Sequence, residues 1–280
     1  MNRTRRLSVA LTVAGVLGVA APAAASATTT ITISGATASY PLVQLLAQKY
    51  VKTHPKKVKF KISQGGAQIG INDVAAGRVT IGDVSRDPLK TDPAGLVFYP
   101  IAEYGICVIT NKSNTLSNLT QAQLISIFST SKSQIRNWSQ VPGATATGPI
   151  DLISRTSVAG VLTSFQTLLL EGKTVSKLAA EESSEGLLKQ QVENDPSSIG
   201  FVSNYQAEKG GVNTVSIGGV QCNRSTVASG QYKPGGTAPR FYEVTKGKAT
   251  GAASAFIGWI EKSAAAEKII SSQWVPIPAS

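Results

Sequence analysis

Apolar and polar positions in the first third of the chain switch repeatedly between two periods. Residues 28–33 are β-branched and alternate, which predicts a strand. Residues 35–39, Gly-Ala-Thr-Ala-Ser, break it as a turn. From Tyr40-Pro41 onward, Leu42, Val43, Leu45, Leu46 and Tyr50 gather on one side of a helix that runs out near Thr53-His54-Pro55. Ser39 is placed to cap that helix, and a proline suits its first turn. Residues 58–62 alternate again. Gly65-Gly66 turns, 67–76 reads as a short helix stopped at Gly77, and 79–81 is a third strand followed by the polar loop 82–88. Strand, turn and helix thus repeat, the pattern of a parallel sheet with helices on its faces. In such sheets ligands sit beyond the carboxyl ends of the strands, which singles out the turns at 35–39, 64–68 and 82–87.

The remainder follows the same logic less regularly. Residues 96–110 are mostly apolar and strand-like at 105–109, and 111–114 break the run. A helix is expected over 120–129, a turn anchored by Trp138 over 135–138, and a linker over 142–148. Then come a strand at 149–153, a loop at 154–157 with Arg155 at the strand's carboxyl end, and a helix over 158–170. A helix at 184–194, strands at 198–202 and 214–217, a long polar connection at 223–240, a strand at 241–244 and helices at 251–262 and 264–272 complete the pattern. There is no tandem repeat.

The N-terminus belongs to a different class. Arg3, Arg5 and Arg6 precede an apolar run over 7–20, and Ala25-Ser26-Ala27 fits a small-x-small cleavage site. Residues 1–27 therefore read as a signal peptide, with an uncleaved membrane anchor as the alternative. No cysteine lies near the cleavage site, so the exported protein, periplasmic or extracellular, is not expected to be a lipoprotein. No later stretch has the apolar length of a membrane span. Of 27 basic residues three lie in this leader, leaving 24 against 16 acids and a mature net charge of +8. In an oxidising compartment Cys107 and Cys222 either bridge or remain as two buried thiols.

The 280 residues have room for about two domains, and 42% apolar residues suffice for real cores. His54 is the single histidine, and there is neither a CxxC pair nor an HExxH. Zinc sites and the common triads are thereby disfavoured. Lys52, Lys56, Lys57, Lys59 and Lys61 form a dense basic cluster, but Phe60 alternates with the lysines rather than standing among them, as a nucleic-acid groove would require. It reads as a solvated face, and no nucleic-acid partner is expected.

What the turns offer is anion chemistry. A helix N-terminus exposes unpaired N–H groups and about half a positive charge, and a small anion needs little else. Ser39, Ala67 and residues 158–161, with Ala159 and Gly160 at their centre, hold such positions. Thr37, Ser39 and Ser85 add hydroxyl donors, and Arg86 and Arg155 add planar forks suited to an oxyanion.

Residues 35–42 (GATASYPL), 65–71 (GGAQIGI) and 81–86 (IGDVSR), followed in order by 111–114, 118–120, 127–128, 137–139, Ser154-Arg155, 199–203, 229–232, 268–270 and Val275-Pro276, form one series of short matches. On these residues the chain resembles the phosphate-binding proteins of bacterial phosphate ABC transporters. The resemblance spans essentially the whole mature chain. It implies a two-lobed, periplasmic-binding-protein-like α/β fold, each lobe a mostly parallel sheet flanked by helices, with the ligand between lobes joined by hinge strands. Lobe 1 would be 28–108 plus 225–280, and lobe 2 would be 109–224. Cys107 would then lie near one hinge strand and Cys222 near the return crossing, where a disulfide becomes as plausible as two thiols. The implied protein is a monomeric, non-enzymatic carrier without cofactor that hands a small oxyanion, phosphate in the family, to an ABC permease. A secreted binding or sensor module with another or very weak ligand is the alternative.

The chain also departs from the family pattern. The family's Gly-Ser-Gly-Thr loop reads Val158-Ala159-Gly160-Val161 here, and its Gly-Ser-Gly turn reads Gly66-Ala67-Gln68. Hydroxyls are therefore missing at Ala67, Ala159 and Val161, and Ala36 and Ala38 stand where Ser or Thr is common. Three lost neutral hydrogen bonds, at about 0.5–1.5 kcal/mol each, would weaken a site by roughly two to three decades. An enzymatic reading would rest on Asp83, Ser85 and Asp87 in exposed loops, without histidine or metal, and is disfavoured.

Overall fold

A computed structural model describes residues 28–55, 57–130 and 134–277. The leader expected over 1–27 lies outside them. Four strands open the chain: β1 (Thr29–Gly35), β2 (Val58–Gln64), β3 (Ile81–Val84) and β4 (Leu96–Glu103). Helices α1 (Tyr40–Thr53) and α2 (Ala67–Ala75) follow β1 and β2. The chain then crosses into a second sheet made of β5 (Ile106–Asn111), β6 (Asn118–Leu119), β7 (Asp151–Arg155), β8 (Ala180–Glu182), β9 (Ser198–Ser203) and β10 (Val212–Ile217). That unit carries α3 (Gln121–Phe128), α4 (Gly160–Ser164), α5 (Glu185–Asn194), α6 (Asn204–Ala207) and α7 (Arg224–Ala228). The chain returns as β11 (Arg240–Lys246) and closes with α8 (Gly251–Lys262) and α9 (Ala264–Gln273).

The expected α/β class with two sheet-and-helix units is observed, and both sheets are mixed. The first runs β2-β1-β3-β11-β4, with β1 parallel to β2 and β3, and β11 antiparallel to β3 and β4. The second runs β6-β10-β5-β9-β7-β8 and is parallel only at its margins. The reason is connectivity. A strand that returns from the other unit, as β11 does, enters between β3 and β4 without a right-handed helical crossover and is free to run antiparallel.

Both faces of the first sheet are covered. Ile31, Ile33, Ile81 and Phe241 pack on Leu42, Leu46, Phe256 and Ile257 from α1 and α8. On the other face Ile71 and Val74 of α2 meet Val84, Tyr242 and Val244. Each such side chain contributes about 1.5–3 kcal/mol of burial. The basic β2 alternates as its sequence demands, with Lys59 and Lys61 exposed and Phe60 turned into an edge-on cluster with Tyr50 and Phe256.

Several boundaries differ from the sequence reading. The third strand begins at Ile81, where its parallel pairing with Ile33 starts, rather than at Val79. The helix expected over 158–170 starts at Gly160 and unwinds into a π-helical turn over Phe165–Leu169. Strands β6 and β8 and helices α6 and α7 are too short to leave a periodic signal. The first crossing falls at Tyr104-Gly105, ahead of the expected 108, because β5 already pairs with β9 from Ile106. The return falls just before Arg240 rather than at 225, since Val227 and Tyr232 pack with Cys107 and Ile109 of the second unit.

The crossing itself is tightly held. Tyr104 stacks on Phe241 and donates to the Ser85 carbonyl at 2.7 Å. Gly105 donates to Asn204 Oδ1, and a Cβ at Gly105 would lie 2.7 Å from Val227 and 3.0 Å from Cys222 Sγ. Next to it Cys107 and Cys222 form a disulfide, tying the outgoing strand to the return segment across 115 residues.

Candidate functional site

Three turns meet between the two units. From the first come the β1–α1 turn and the start of α2, and from the second comes the β7–α4 turn. Together with Ser85, these segments close on a tight seam lined by Ala36, Thr37, Ala38, Gly66, Ala67, Ser85, Arg155, Ala159, Gly160 and Val161.

The units touch directly along this seam. Gln68 N–H donates to the Val158 carbonyl at 3.0 Å, and Ser164 Oγ to the Ser85 carbonyl at 3.4 Å. A Cβ on Gly160 would come within 2.7 Å of Ser85 Oγ and 2.8 Å of the Ala67 Cβ. Gly66, at φ +110°, meets the Val158 carbonyl in the same way.

Arg155 ends β7 and reaches across. Its Nη2 donates to Thr37 Oγ1 of the opposite unit and to the Ser183 carbonyl, each at 3.0 Å, and its Nε donates to the Glu182 carbonyl. Nη1 has no hydrogen-bond partner among the described residues. The side chain is 1% exposed and makes no ion pair within 4 Å among the described residues. Burial pulls its pKa down, and the charge of Glu185 opposes that. Glu185 in turn is pushed up by burial and held back by Arg155, while its two oxygens accept from the Ser203 N–H and Oγ. The site thus holds one buried cation that is not neutralised by direct contact. The backbone N–H groups of Thr37, Ala38, Ser39, Gly160 and Val161 add donors that no carbonyl of the described residues accepts. Chemically, such an arrangement of donors around an unpaired guanidinium can accept an anion.

Of the residues singled out from sequence, Thr37, Ala67, Ser85, Arg155, Ala159 and Gly160 line the seam together. Ser39 and Arg86 do not. Ser39 leaves the helix uncapped, because its Oγ donates to Asp83 Oδ1 at 2.5 Å. Arg86 is 2% exposed with its fork closed on Asp92, at 2.6 Å and 2.9 Å, and on Gln68 Oε1 at 3.1 Å. Burial would raise the Asp92 carboxyl, but the bonds from Arg86 and from the Leu89 N–H outweigh it and hold the group below the ordinary range. Asp83 and Ser85, expected on an exposed loop, are 2% and 1% exposed.

The sequence reading missed Asp83, Ser164 and Glu185 as supports. Ser164 sits one turn into the helix that opens at Gly160, so spacing alone pointed toward it. Nothing local marks Glu185 or the carboxyl set behind Ser39. Among the described residues no cluster of three His, Cys, Asp or Glu suits a metal, and no helix is long and apolar enough to cross a membrane.

Comparison with known proteins agrees with this geometry. A family model described as a PBP superfamily domain matches residues 20–273. The phosphate-binding protein PstS of Bacillus subtilis is 27% identical over 251 residues, covering 88% of this chain and 80% of that one. A solved candidate phosphate ABC transporter substrate-binding protein with bound phosphate, from Clostridium perfringens, superposes with a TM-score of 0.80 at 26% identity, covering 89% of this chain and 100% of that one. An ABC-type phosphate transport receptor from Vibrio cholerae shares the fold, with a TM-score of 0.71 at 24% identity and the same coverage.

Proposed function

We propose, for a chain that belongs to the PBP superfamily, that it is an exported, monomeric solute-binding protein which closes two lobes around phosphate and delivers it to an ABC permease. One observation carries the reading: Arg155 spans the closed cleft with Nη1 unclaimed, beside peptide N–H groups contributed by both lobes. Phosphate would take that fork and the amides of Thr37, Ala38, Gly160 and Val161, with the hydroxyls of Thr37 and Ser85 as further partners. Arg86 and Ser39 would act behind the site rather than on the ligand. The two lobes would be the two sheet units, hinged at Tyr104-Gly105 and at the return before β11. Bound anion would favour the closed state by its differential affinity.

The substitutions at Ala67, Ala159 and Val161 leave these amides in place, so the affinity is expected to be modest rather than absent. Calorimetric titration of the mature protein with inorganic phosphate, with sulfate in parallel, tests the reading. Saturable heat with phosphate supports it. No heat and no thermal shift at millimolar phosphate would remove phosphate as the ligand.

A further inference from the structure

Two buried acids stand together behind the proposed anion loop. β11 pairs with β3 in a register that sets Glu243 directly opposite Asp83, and opposed residues of an antiparallel pair carry their side chains on one face, about 5 Å apart at Cβ. Glu243 is 0% exposed, and neither of its carboxyl oxygens has a hydrogen-bond partner. Asp83 is 2% exposed and accepts from Ser39 Oγ.

Among the described residues no cation pairs with them. Arg240 is paired with Glu103, Arg86 with Asp92 and Arg78 with Asp73. On the elements packed against this face, Lys49 and Lys52 of α1 and Glu261 and Lys262 of α8 are exposed. On β4, Tyr99 is the register partner of Glu243, and its hydroxyl accepts from the Ala249 N–H. On β11, Thr245 donates to the Gly247 carbonyl. On the opposite face, Asp73 of α2 is satisfied by Ser34 and Arg78. Two adjacent buried carboxylates without counter-charge would repel strongly. Keeping one proton on the pair removes the repulsion.

Asp83 also fixes the loop itself. Its backbone carbonyl accepts the Ala36 N–H at 2.9 Å, and a Cβ on Gly35 would lie 2.0 Å from that oxygen. Backbone and side chain of one residue thus clamp both ends of the turn over 36–39.

We infer that Asp83 and Glu243 are a buried acid pair, held singly charged, that keeps this turn in its anion-receiving shape, so that anion capture is linked to protonation of the pair. The linkage to phosphate rests on the function proposed above, whereas the proton held on the pair does not. Burial and the neighbouring carboxyl push Glu243 well up, and burial pushes Asp83 up to about 7. The folded protein therefore holds more protons than the unfolded chain from roughly pH 4 to pH 7. Stability is then fully present at the acidic end of that window and is lost as the pH rises through the folded values. An anion arriving near the turn favours the protonated pair, so binding takes up protons and weakens as the pH climbs.

The test compares wild type, Glu243→Gln and Asp83→Asn, each as full-length mature protein. Without ligand, the melting temperature of the wild type is expected to fall between pH 5 and pH 8, and both variants should show a shallower slope. With inorganic phosphate, calorimetry in buffers of differing ionisation enthalpy is expected to show proton uptake beyond that of Glu243→Gln. Wild-type affinity should drop up to about tenfold more than the variant's from pH 6 to pH 8. Reading the difference cancels the titration of phosphate itself. Carbon-13 NMR of the wild-type carboxyl groups adds a measurement that depends on no variant: one should titrate near neutrality. Parallel pH slopes in all three proteins, or no carboxyl titrating above pH 6, would overturn the pair. Absence of phosphate heat at every pH, with the stability difference intact, would overturn the phosphate reading and its linkage while leaving the pair standing.

Discussion

Arg86 and Arg155 occupy equivalent places in the two units. Each stands at the carboxyl end of a parallel strand facing the cleft, and each is almost fully buried, at 2% and 1% exposure. Their neighbours make them different objects. Arg86 meets a carboxylate six residues on, in the loop after β3, and its fork is filled by Asp92. Among the described residues Arg155 bonds the carbonyls of Glu182 and Ser183 and a threonine hydroxyl. A guanidinium bound to carbonyls keeps its charge available, whereas one bound bidentately to a carboxylate has spent its geometry on the fold. Position alone therefore does not make an arginine a ligand group.

The comparison breaks most visibly through stability. Arg86→Ala leaves Asp92 buried without its partner, and removing one member of a buried pair costs about 3–5 kcal/mol. Chemical denaturation should read a loss of that size, with phosphate affinity at permissive denaturant changed far less. The mirror-image experiment is Arg155→Ala. Charge-assisted hydrogen bonds are worth about 1.5–3 kcal/mol each, so losing the fork should lower phosphate affinity at least a hundredfold by calorimetry. The melting temperature without ligand should fall less than for Arg86→Ala, because Glu185 loses the favourable charge of Arg155 but keeps its bonds to Ser203. If Arg86→Ala lost binding and Arg155→Ala lost only stability, the two assignments would have to be exchanged.

This asymmetry also shows what was legible in the chain. The strand–turn–helix periodicity located all three turns, because amphipathic alternation is local and each turn is punctuated by glycine. It also located Arg155 and Thr37 as partners in one site. Arg86 was read the same way, yet the structure turns its fork onto Asp92, which lies on a loop folded back through the Leu89 N–H rather than set by any period. Glu243 lay further out of reach. It sits in a strand with the expected apolar neighbours, and only the insertion of β11 between β3 and β4, a long-range event, sets it opposite Asp83. The crossing points shifted for the same reason, since Gly105 and Val227 pack across more than a hundred residues of sequence.

The smallest expected effect addresses closure rather than charge. Gly160 has no positive φ, so a side chain there strains no backbone, and the methyl of Gly160→Ala meets Ser85 Oγ, the Ser85 backbone carbon and the Ala67 Cβ. All three obstacles belong to the opposite unit, so separation of the units would relieve them. The variant should therefore fold with an unchanged melting temperature in the absence of ligand. It should bind phosphate about tenfold more weakly, roughly 1.4 kcal/mol, and scatter X-rays as a slightly more open particle at saturation. Gly66→Ala would be a poorer probe, because φ +110° adds backbone strain to the clash and mixes the two causes. Should Gly160→Ala bind as tightly as the wild type, the two units would have to accommodate the methyl while closed. The direct contact between Gly160 and Ser85 would then be a consequence of packing rather than a determinant of affinity, leaving the hydrogen bonds from Arg155, Gln68 and Ser164 as the links across the cleft.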